Sequence, residues 1–339
     1  MRGNSADEGT AMSSSAATAP PVAFGRLSLV VKTARMYHEE GLLQPEIAER
    51  LNMTQSRVSR MLKEAARLGI VRTVVASPPG LYPELEQGLR TTFDLRDVVV
   101  AEAASDSEAG VLSSLGAAAA SYLEGTLRSG ERIGITSRSA SLFAMVDALG
   151  PVTTGGAEVV VQTLGAVGNP AMQVRATRLT DRLSQLTGGE PVYLPAPGVV
   201  ASKAVRDGLL LDPYIAEAVA AWSGLTMVLV GIGSAKPSPL RASWGTALPQ
   251  RDLDRLIKLG AVGDVCLNFF DAAGDLVDAR LTDRVLGIGP DELRAVPRRI
   301  GVAGGPGKVD AIRAAAAGGW INVLVTDHFT ARRLVDAQP

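Results

Sequence analysis

The sequence predicts an α/β protein in two parts, a small winged helix-turn-helix at the N-terminus and a larger domain built on a mostly parallel sheet. Three observations carry this. An amphipathic helix pair lies between Gln44 and Leu68 and runs into IVRTVV, a period-two, β-branched stretch. From Leu95 onward, short apolar runs alternate with Ala- and Leu-rich helical stretches. The chain of 339 residues is too long for the first module alone, and the turn-rich SPPGLYPELEQ marks a joint between the parts. The expected divisions are a tail over 1–24, a DNA-binding part over 25–76, a linker over 77–83 and an α/β domain over 84–337.

The opening MRGNSADEGTAMSSSAATAPPVA is small, polar and proline-tipped, without the positive start and apolar middle of a signal peptide. It reads as a disordered tail. A first helix is expected over Leu27 to Tyr37, its inner face made by Leu29, Val30, Thr33, Ala34 and Tyr37. The second, Gln44 to Leu51, carries Ile47, Ala48 and Leu51 on one face and holds Pro45 in its first turn, where a missing N–H costs nothing.

The third helix opens at Thr54, an N-cap residue, with Met53 placed to staple onto Val58. Val58, Met61, Leu62, Ala65 and Leu68 form its apolar stripe, and Gly69 ends it. Its wet side carries Gln55, Ser56, Arg57, Arg60 and Lys63, with Ser59 bordering the stripe. Between Arg26 and Arg72 stand nine Lys and Arg against five Asp and Glu, whereas the whole chain has net charge −1. Positive charge concentrated on a helix-turn-helix is the electrostatic footprint of DNA binding. Gln55, Ser56, Arg57, Ser59, Arg60 and Lys63 are therefore the expected DNA contacts; a solvated face of an ordinary bundle is the plainer reading.

Composition narrows the rest. No apolar run approaches a membrane span. A single cysteine, Cys266, rules out a disulfide framework within one chain and fits a reducing cytoplasm. Two histidines and one cysteine cannot build a zinc or iron site of ordinary spacing. His38 and His328 read as surface or capping residues, and neither sits in a triad frame. No metal and no cofactor is expected.

In the second part RDVVVAEA, RIGIT, AEVVVQTL, TMVLVGIG, DVCLNFF, RIGVAG and INVLVTD are the expected strands. Ligands of such sheets bind at the loops that leave the strands' carboxyl ends, and three loops stand out. GITSRSAS (Gly134 to Ser141) runs from strand to helix through the hydroxyls of Thr136, Ser137, Ser139 and Ser141 and the Arg138 guanidinium, suited to an anion or a polyol; an ordinary serine-capped helix start reads equally well. QTLGAVGNP offers Gln162, Gly165 and Asn169, a weak signal alone. VAGGPGKVDAI places Lys308 at a helix start, but Val302 and Val309 stand where a Walker A loop needs Gly and Ser or Thr. GIGSAK, with Lys236 in place of the third Gly, completes no dinucleotide fingerprint either.

YHEEGLLQPEIAERLNMTQSRVSRMLKEAARLGIV resembles the DNA-binding domain of the SorC family of sugar-responsive bacterial regulators, also called DeoR-type sugar-binding regulators. One departure is Leu43, where such domains have a capping Ser or Thr. LTGGEPVYLPAP, GAVGDVCLNFFDAAG and RRIGVAGGPGKVDAIRAAAAGGWINVLVTD resemble blocks of the family's effector domain, so the likeness spans about Leu27 to Val335. It implies a Rossmann-like effector domain similar to ribose-5-phosphate isomerase and glucosamine-6-phosphate deaminase. It also implies that Asp264 faces sugar hydroxyls, that Lys308 meets effector phosphate or oxygen, and that Arg241 lies in an effector loop. Arg138 replaces a small residue of the first loop, Ala140 a common Thr, and Leu164 a phosphate-binding arginine. A doubly phosphorylated sugar is thus disfavoured against a monophosphate or an uncharged polyol.

The expectation is a regulator that binds operator DNA through the helix-turn-helix and a sugar, polyol or sugar phosphate through the α/β domain. The effector set is Gly134, Thr136, Ser137, Arg138, Ser139, Gln162, Gly165, Arg241, Asp264 and Lys308. Two-fold operators and the family imply a homodimer or homotetramer. The rival is an isomerase- or deaminase-like enzyme with Lys308 as Schiff base and Asp264 as general base; no second carboxylate or histidine is placed beside them in the sequence. A purely structural nucleoid protein would leave a near-neutral α/β domain idle.

Overall fold

The structure, a computed structural model, describes residues 21–72, 78–168, 170–235, 248–277 and 279–336. Its contacts divide the chain into two compact units, Met1–Ala76 and Ser77–Pro339. The expected wing strand IVRTVV beyond Arg72, and Asn169, Lys236 and Arg241, lie outside the described residues.

The first unit is three helices, α1 (Pro21–His38), α2 (Gln44–Arg50) and α3 (Gln55–Arg67). α1 begins at Pro21, within the stretch expected to be tail, and is longer than the Leu27 to Tyr37 reading. It serves two apolar clusters: Val30 and Ala34 pack with Met61 and Ala65, and Met36 packs with Ile47, Ala48 and Val58. Met36 therefore fills the core position expected for Tyr37, whose ring is 37% exposed and meets His38 edge-on. Thr54 caps α3, its Oγ1 accepting the Arg57 N–H at 3.3 Å. Gly69 ends the helix at φ +69°: its N–H donates to the Ala66 carbonyl and the Ile70 N–H to that of Ala65, a Schellman closure that needs a left-handed residue. The apolar stripe stops one turn short of expectation. Leu68 is 45% exposed because it is the C-cap, where the chain leaves the helical path. At Leu43 no side chain caps α2, but the Glu46 carboxylate accepts the Leu43 N–H at 2.7 Å, keeping half of a capping box.

The second unit holds a seven-stranded sheet in the order β1-β10-β9-β5-β2-β3-β4, every pairing parallel. Its strands are β1 (Asp97–Ala101), β2 (Ser129–Ile135), β3 (Gly156–Gln162), β4 (Glu190–Val192), β5 (Met227–Gly231), β9 (Arg298–Val302) and β10 (Val323–Asp327). Apolar side chains of the strands divide between two large clusters: Ile133, Ile135, Leu229 and Val325 belong to one, Val159, Val161, Val228 and Val230 to the other. A central parallel strand buried on both faces reads as a continuous apolar run, as MVLV does. Helices α4 (Pro83–Thr92), α5 (Glu108–Thr126), α6 (Ala140–Ala148) and α7 (Pro170–Thr187) alternate with the early strands. Among the described residues, none of the helices is long and apolar enough to cross a membrane.

One expected strand is corrected. DVCLNFF is a hairpin of β7 (Gly263–Val265) and β8 (Asn268–Phe270), and it forms a separate antiparallel sheet with β6 (Gly233–Ser234). The chain reverses at Cys266 and Leu267, whose φ angles are 52° and 63°. Positive φ at both central residues is the mark of a tight hairpin turn that Asn and Gly usually fill, so the sequence gives no warning of it. Both side chains are buried.

Candidate functional site

The loops at the carboxyl ends of β1, β2, β3, β5 and β9 enclose, together with the β7–β8 turn, a cavity of about 120 Å3. Of the residues expected to bind an effector, Thr136, Arg138, Ser139, Asp264 and Lys308 line it. Ser139 caps α6 and is in hydrogen-bond range of Ser141 (2.9 Å), which donates to the Val302 carbonyl (2.6 Å) and so ties the β2 loop to β9.

Asp264 is the central group. It lies on β7, is 4% exposed, and accepts the Leu267 N–H at 3.2 Å through Oδ2. The same oxygen stands 3.8 Å from an Arg138 nitrogen, an ion pair beyond hydrogen-bond reach. Its other oxygen, Oδ1, is buried without a hydrogen-bond partner. Gly233 across the ladder is what makes room: a Cβ there would stand 2.1 Å from Oδ1. A buried carboxylate oxygen left unpaired is costly, and a ligand hydroxyl would satisfy it. Thr326 Oγ1 is also a buried orphan.

Opposite, Lys308 is the N-cap of the helix Val309–Ala317 and is half-buried. Burial holds its ammonium below the ordinary lysine range; Glu108 and Asp264 act in the opposite sense and Arg138 reinforces the lowering. The glycine loop that carries it is braced by Asp327, whose Oδ2 accepts the Gly305 N–H at 3.0 Å and the Thr330 hydroxyl at 2.7 Å. Cys266 also lines the cavity, but burial pushes its thiol up to about 12, so it is no nucleophile at neutral pH.

Four expected residues are placed elsewhere. Gln162 is turned to the backbone, donating to the Leu164 carbonyl (2.7 Å) and accepting the Leu194 N–H (3.4 Å). Gly165 lets two backbones cross, since a Cβ there would stand 2.6 Å from the Ala196 carbonyl oxygen. Gly134 lies packed under Thr163 and Leu225, and Ser137 is buried; neither lines the cavity. His328 corrects the surface reading as well. It is buried, its Nδ1 accepts the Ala103 N–H at 3.2 Å, and its ring stacks on Tyr82.

Sequence reasoning missed Glu108, Leu115 and the Gly231–Ser234 segment as walls of the cavity. Each follows the carboxyl end of a strand or lines the helix behind one. GIGS was tested only as a nucleotide fingerprint, and Glu108 sits one residue after the Ser107 cap of α5. Among the described residues no group of three or more His, Cys, Asp or Glu could hold a metal ion.

On α3 of the first unit, Gln55, Ser56, Arg57, Arg60 and Lys63 are exposed along one side and Ser59 is half-buried at its border. The Arg60 Nε leans back toward the Ser56 carbonyl at 3.4 Å, and the Ser56 hydroxyl meets that of Thr54.

Comparison with known proteins agrees with this architecture. Residues 79–336 match the family model for the sugar-binding domain named Sugar-bind. The chain is 29% identical to the deoxyribonucleoside regulator of Bacillus subtilis over 308 residues, 91% of this chain and 97% of that one. It is 30% identical to the transcriptional regulator LsrR of Escherichia coli K12 over 309 residues, 90% of this chain and 94% of that one. The crystal structure of the full-length sorbitol operon regulator SorC from Klebsiella pneumoniae superposes with a TM-score of 0.68 at 28% identity, covering 91% of this chain and 98% of that one. The parallel-sheet α/β fold, the domain match and the full-length relatives together show that the chain belongs to the SorC, or DeoR-type, family of transcriptional regulators with a sugar-binding domain.

Proposed function

We infer that the protein is a carbohydrate-responsive transcriptional regulator. Its first unit acts as a winged helix-turn-helix that places α3 in the major groove of operator DNA, and the second unit holds a sugar, polyol or sugar phosphate. The observation that carries the effector half is the buried, unpaired Oδ1 of Asp264, a residue that lines a cavity walled by strand-end loops. A polyhydroxy ligand supplies the donor that this oxygen lacks. Lys308 and Arg138 supply cations for oxygen or phosphate on the ligand. The exposed residues from Gln55 to Lys63 suit phosphates and base edges, with Arg57 and Arg60 able to take a guanine bidentately. Gly134, Ser137, Gln162 and Gly165 serve to shape the loops rather than to touch the ligand. The α/β domain is of the kind that ribose-5-phosphate isomerase and glucosamine-6-phosphate deaminase represent.

The protein works without a cofactor, as a homodimer or homotetramer on a two-fold operator in the cytoplasm. Effector and DNA report on one conformational equilibrium, so each changes the affinity of the other by the same factor. Against an enzyme stand the names of these relatives, both regulators.

Fluorescence anisotropy tests this directly. Purified protein is titrated onto DNA from upstream of its own gene and onto random DNA across a salt series, with a panel of polyols and sugar phosphates. Preferential binding that one compound shifts is expected, and Arg60→Ala should abolish the preference while leaving effector affinity intact. Equal, salt-sensitive binding to both DNAs, unmoved by any compound, would overturn the reading.

A further inference from the structure

His328 does not line the cavity, yet three segments of the second unit meet on its ring. It opens the C-terminal helix His328–Asp336 directly after β10 and is 8% exposed. Its Nδ1 accepts the Ala103 N–H, which holds the β1–α5 loop, and its ring stacks at 5.0 Å and 3° on Tyr82, just before α4. The linker also approaches that loop through Gly80, where φ is +85° and a Cβ would stand 2.6 Å from a Glu102 carboxylate oxygen. Four residues beyond Tyr82, Glu86 Oε1 accepts the Val100 N–H of the edge strand β1, a bond in which the histidine has no part. The residues before α4 are therefore held by His328 and its loop, and α4 itself by the sheet.

The Ala103 bond fixes the charge state of the ring. Nδ1 accepts only without a proton, whereas the imidazolium donates at both nitrogens. Protonation would set a buried donor against a donor, which breaks the bond. Among the described residues, the titratable and charged groups on the segments packed around the ring are Tyr82 and Glu86, Glu102 and Asp106 of the β1–α5 loop, Asp327, and Arg332 and Arg333 of the same helix. Asp327 is engaged by Gly305 and Thr330. Asp106 is bound to Arg333, and its carboxyl is held below the usual range first by that bond and, to a smaller extent, by charge on His328. A protonated ring thus loses Ala103 and has an acid close by to draw it away.

We propose that His328 is a pH-sensitive latch: the neutral ring fastens the linker and the β1–α5 loop to the end of β10, and the imidazolium releases both. Histidine is the side chain that ordinarily takes up a proton between about pH 5 and 8. Release frees more of the chain that joins the two units, while Glu86 keeps α4 on β1. The latch works in the chain alone and does not depend on the effector site.

The test combines two measurements on the full chain. It holds two histidines, so ring-labelled histidine gives two sets of NMR signals, which His328→Asn assigns. Titrated from about pH 8 to about pH 5, the His328 ring should protonate. Deuterium exchange, corrected for its intrinsic pH dependence, should show protection over 79–83 and 102–107 falling at least roughly 10-fold with the same midpoint, the loss of a buried hydrogen bond. Protection over 86–92 should hold. His328→Asn puts an amide oxygen near the place of Nδ1 and does not titrate, so its protection should be flat across the interval. His328→Phe keeps the stack without the acceptor, and 102–107 should be weakly protected at both ends. Circular dichroism and melting temperature establish that each variant folds, and His328→Phe carries the comparison if His328→Asn does not. A ring that stays neutral to about pH 5, the same pH dependence in wild type and His328→Asn, or an equal loss over 86–92 would overturn the latch.

Discussion

Each end of the seven-stranded sheet sets an arginine beside a buried carboxylate, and the two pairs are satisfied to different degrees. At the amino end, Arg298 Nη1 donates to Glu131 (3.3 Å) and to the Thr126 carbonyl (3.3 Å), and its Nη2 donates to the Thr126 hydroxyl (2.8 Å). The second Glu131 oxygen takes the Thr226 hydroxyl. Both Glu131 oxygens and both terminal Arg298 nitrogens have a partner within the fold. At the carboxyl end, Arg138 and Asp264 stand 3.8 Å apart and one carboxylate oxygen is unpaired. The closed network can only hold the sheet together. The open one has bonding capacity left, and a cavity in front of it. Buried polar clusters that are incomplete within the protein are where a ligand gains affinity, because the desolvation cost is already met in the free protein.

The largest effect expected from this contrast is at the closed end. Glu131→Ala leaves Arg298 buried without its carboxylate and should cost about 3–5 kcal/mol in urea unfolding. A loss under about 1 kcal/mol would mean that the network is not closed in solution. At the open end the signs differ. Asp264→Asn keeps an acceptor for the Leu267 N–H and removes an incompletely paired charge, so stability should move by less than about 1 kcal/mol. Effector affinity should nevertheless fall roughly 10- to 100-fold by calorimetry. A variant that binds effector normally would remove Asp264 from the site.

How much of this was legible follows the physics of each element. α3 could be read to its cap and its exposed face because period, N-cap and terminating glycine all point the same way. The sheet strands were legible because central parallel strands are apolar throughout. The β7–β8 hairpin was not, since Cys266 and Leu267 hold a turn conformation that their own preferences oppose; burial of both side chains and the Asp264 bond to Leu267 impose it. That turn is also what aims Asp264, so the site's central residue was identified by resemblance while its setting stayed hidden. Gln162 misled for a similar reason: a polar residue at a strand end reads as ligand-binding until the backbone it braces is known.

Two smaller effects sharpen the comparison. In the first unit Leu43→Ser supplies the missing side-chain cap of α2 and should add about 0.5–1 kcal/mol to thermal unfolding; no gain would mean that the Glu46 bond already suffices. Lys308→Met should raise the stability of the ligand-free protein slightly, by less than about 1 kcal/mol, while weakening anionic effectors. Burial lowers the Lys308 proton affinity in the folded chain. In the alkaline interval between its folded value and the ordinary lysine value of 10.5, the unfolded chain holds the extra proton, so wild-type stability gains from rising pH there. Lys308→Met should lack that gain in urea titrations at several alkaline pH values; an identical pH profile would mean that the ammonium is solvated.

The most direct measurement is hydrogen–deuterium exchange of the full chain with and without the panel compound that most raises its melting temperature. Protection should appear over 134–141, 231–234, 264–267 and 304–308, the loops around Asp264, and be unchanged around Glu131 and Arg298. Protection at the amino end of the sheet, or none at the four carboxyl-end loops, would contradict the assignment of the open end as the effector site.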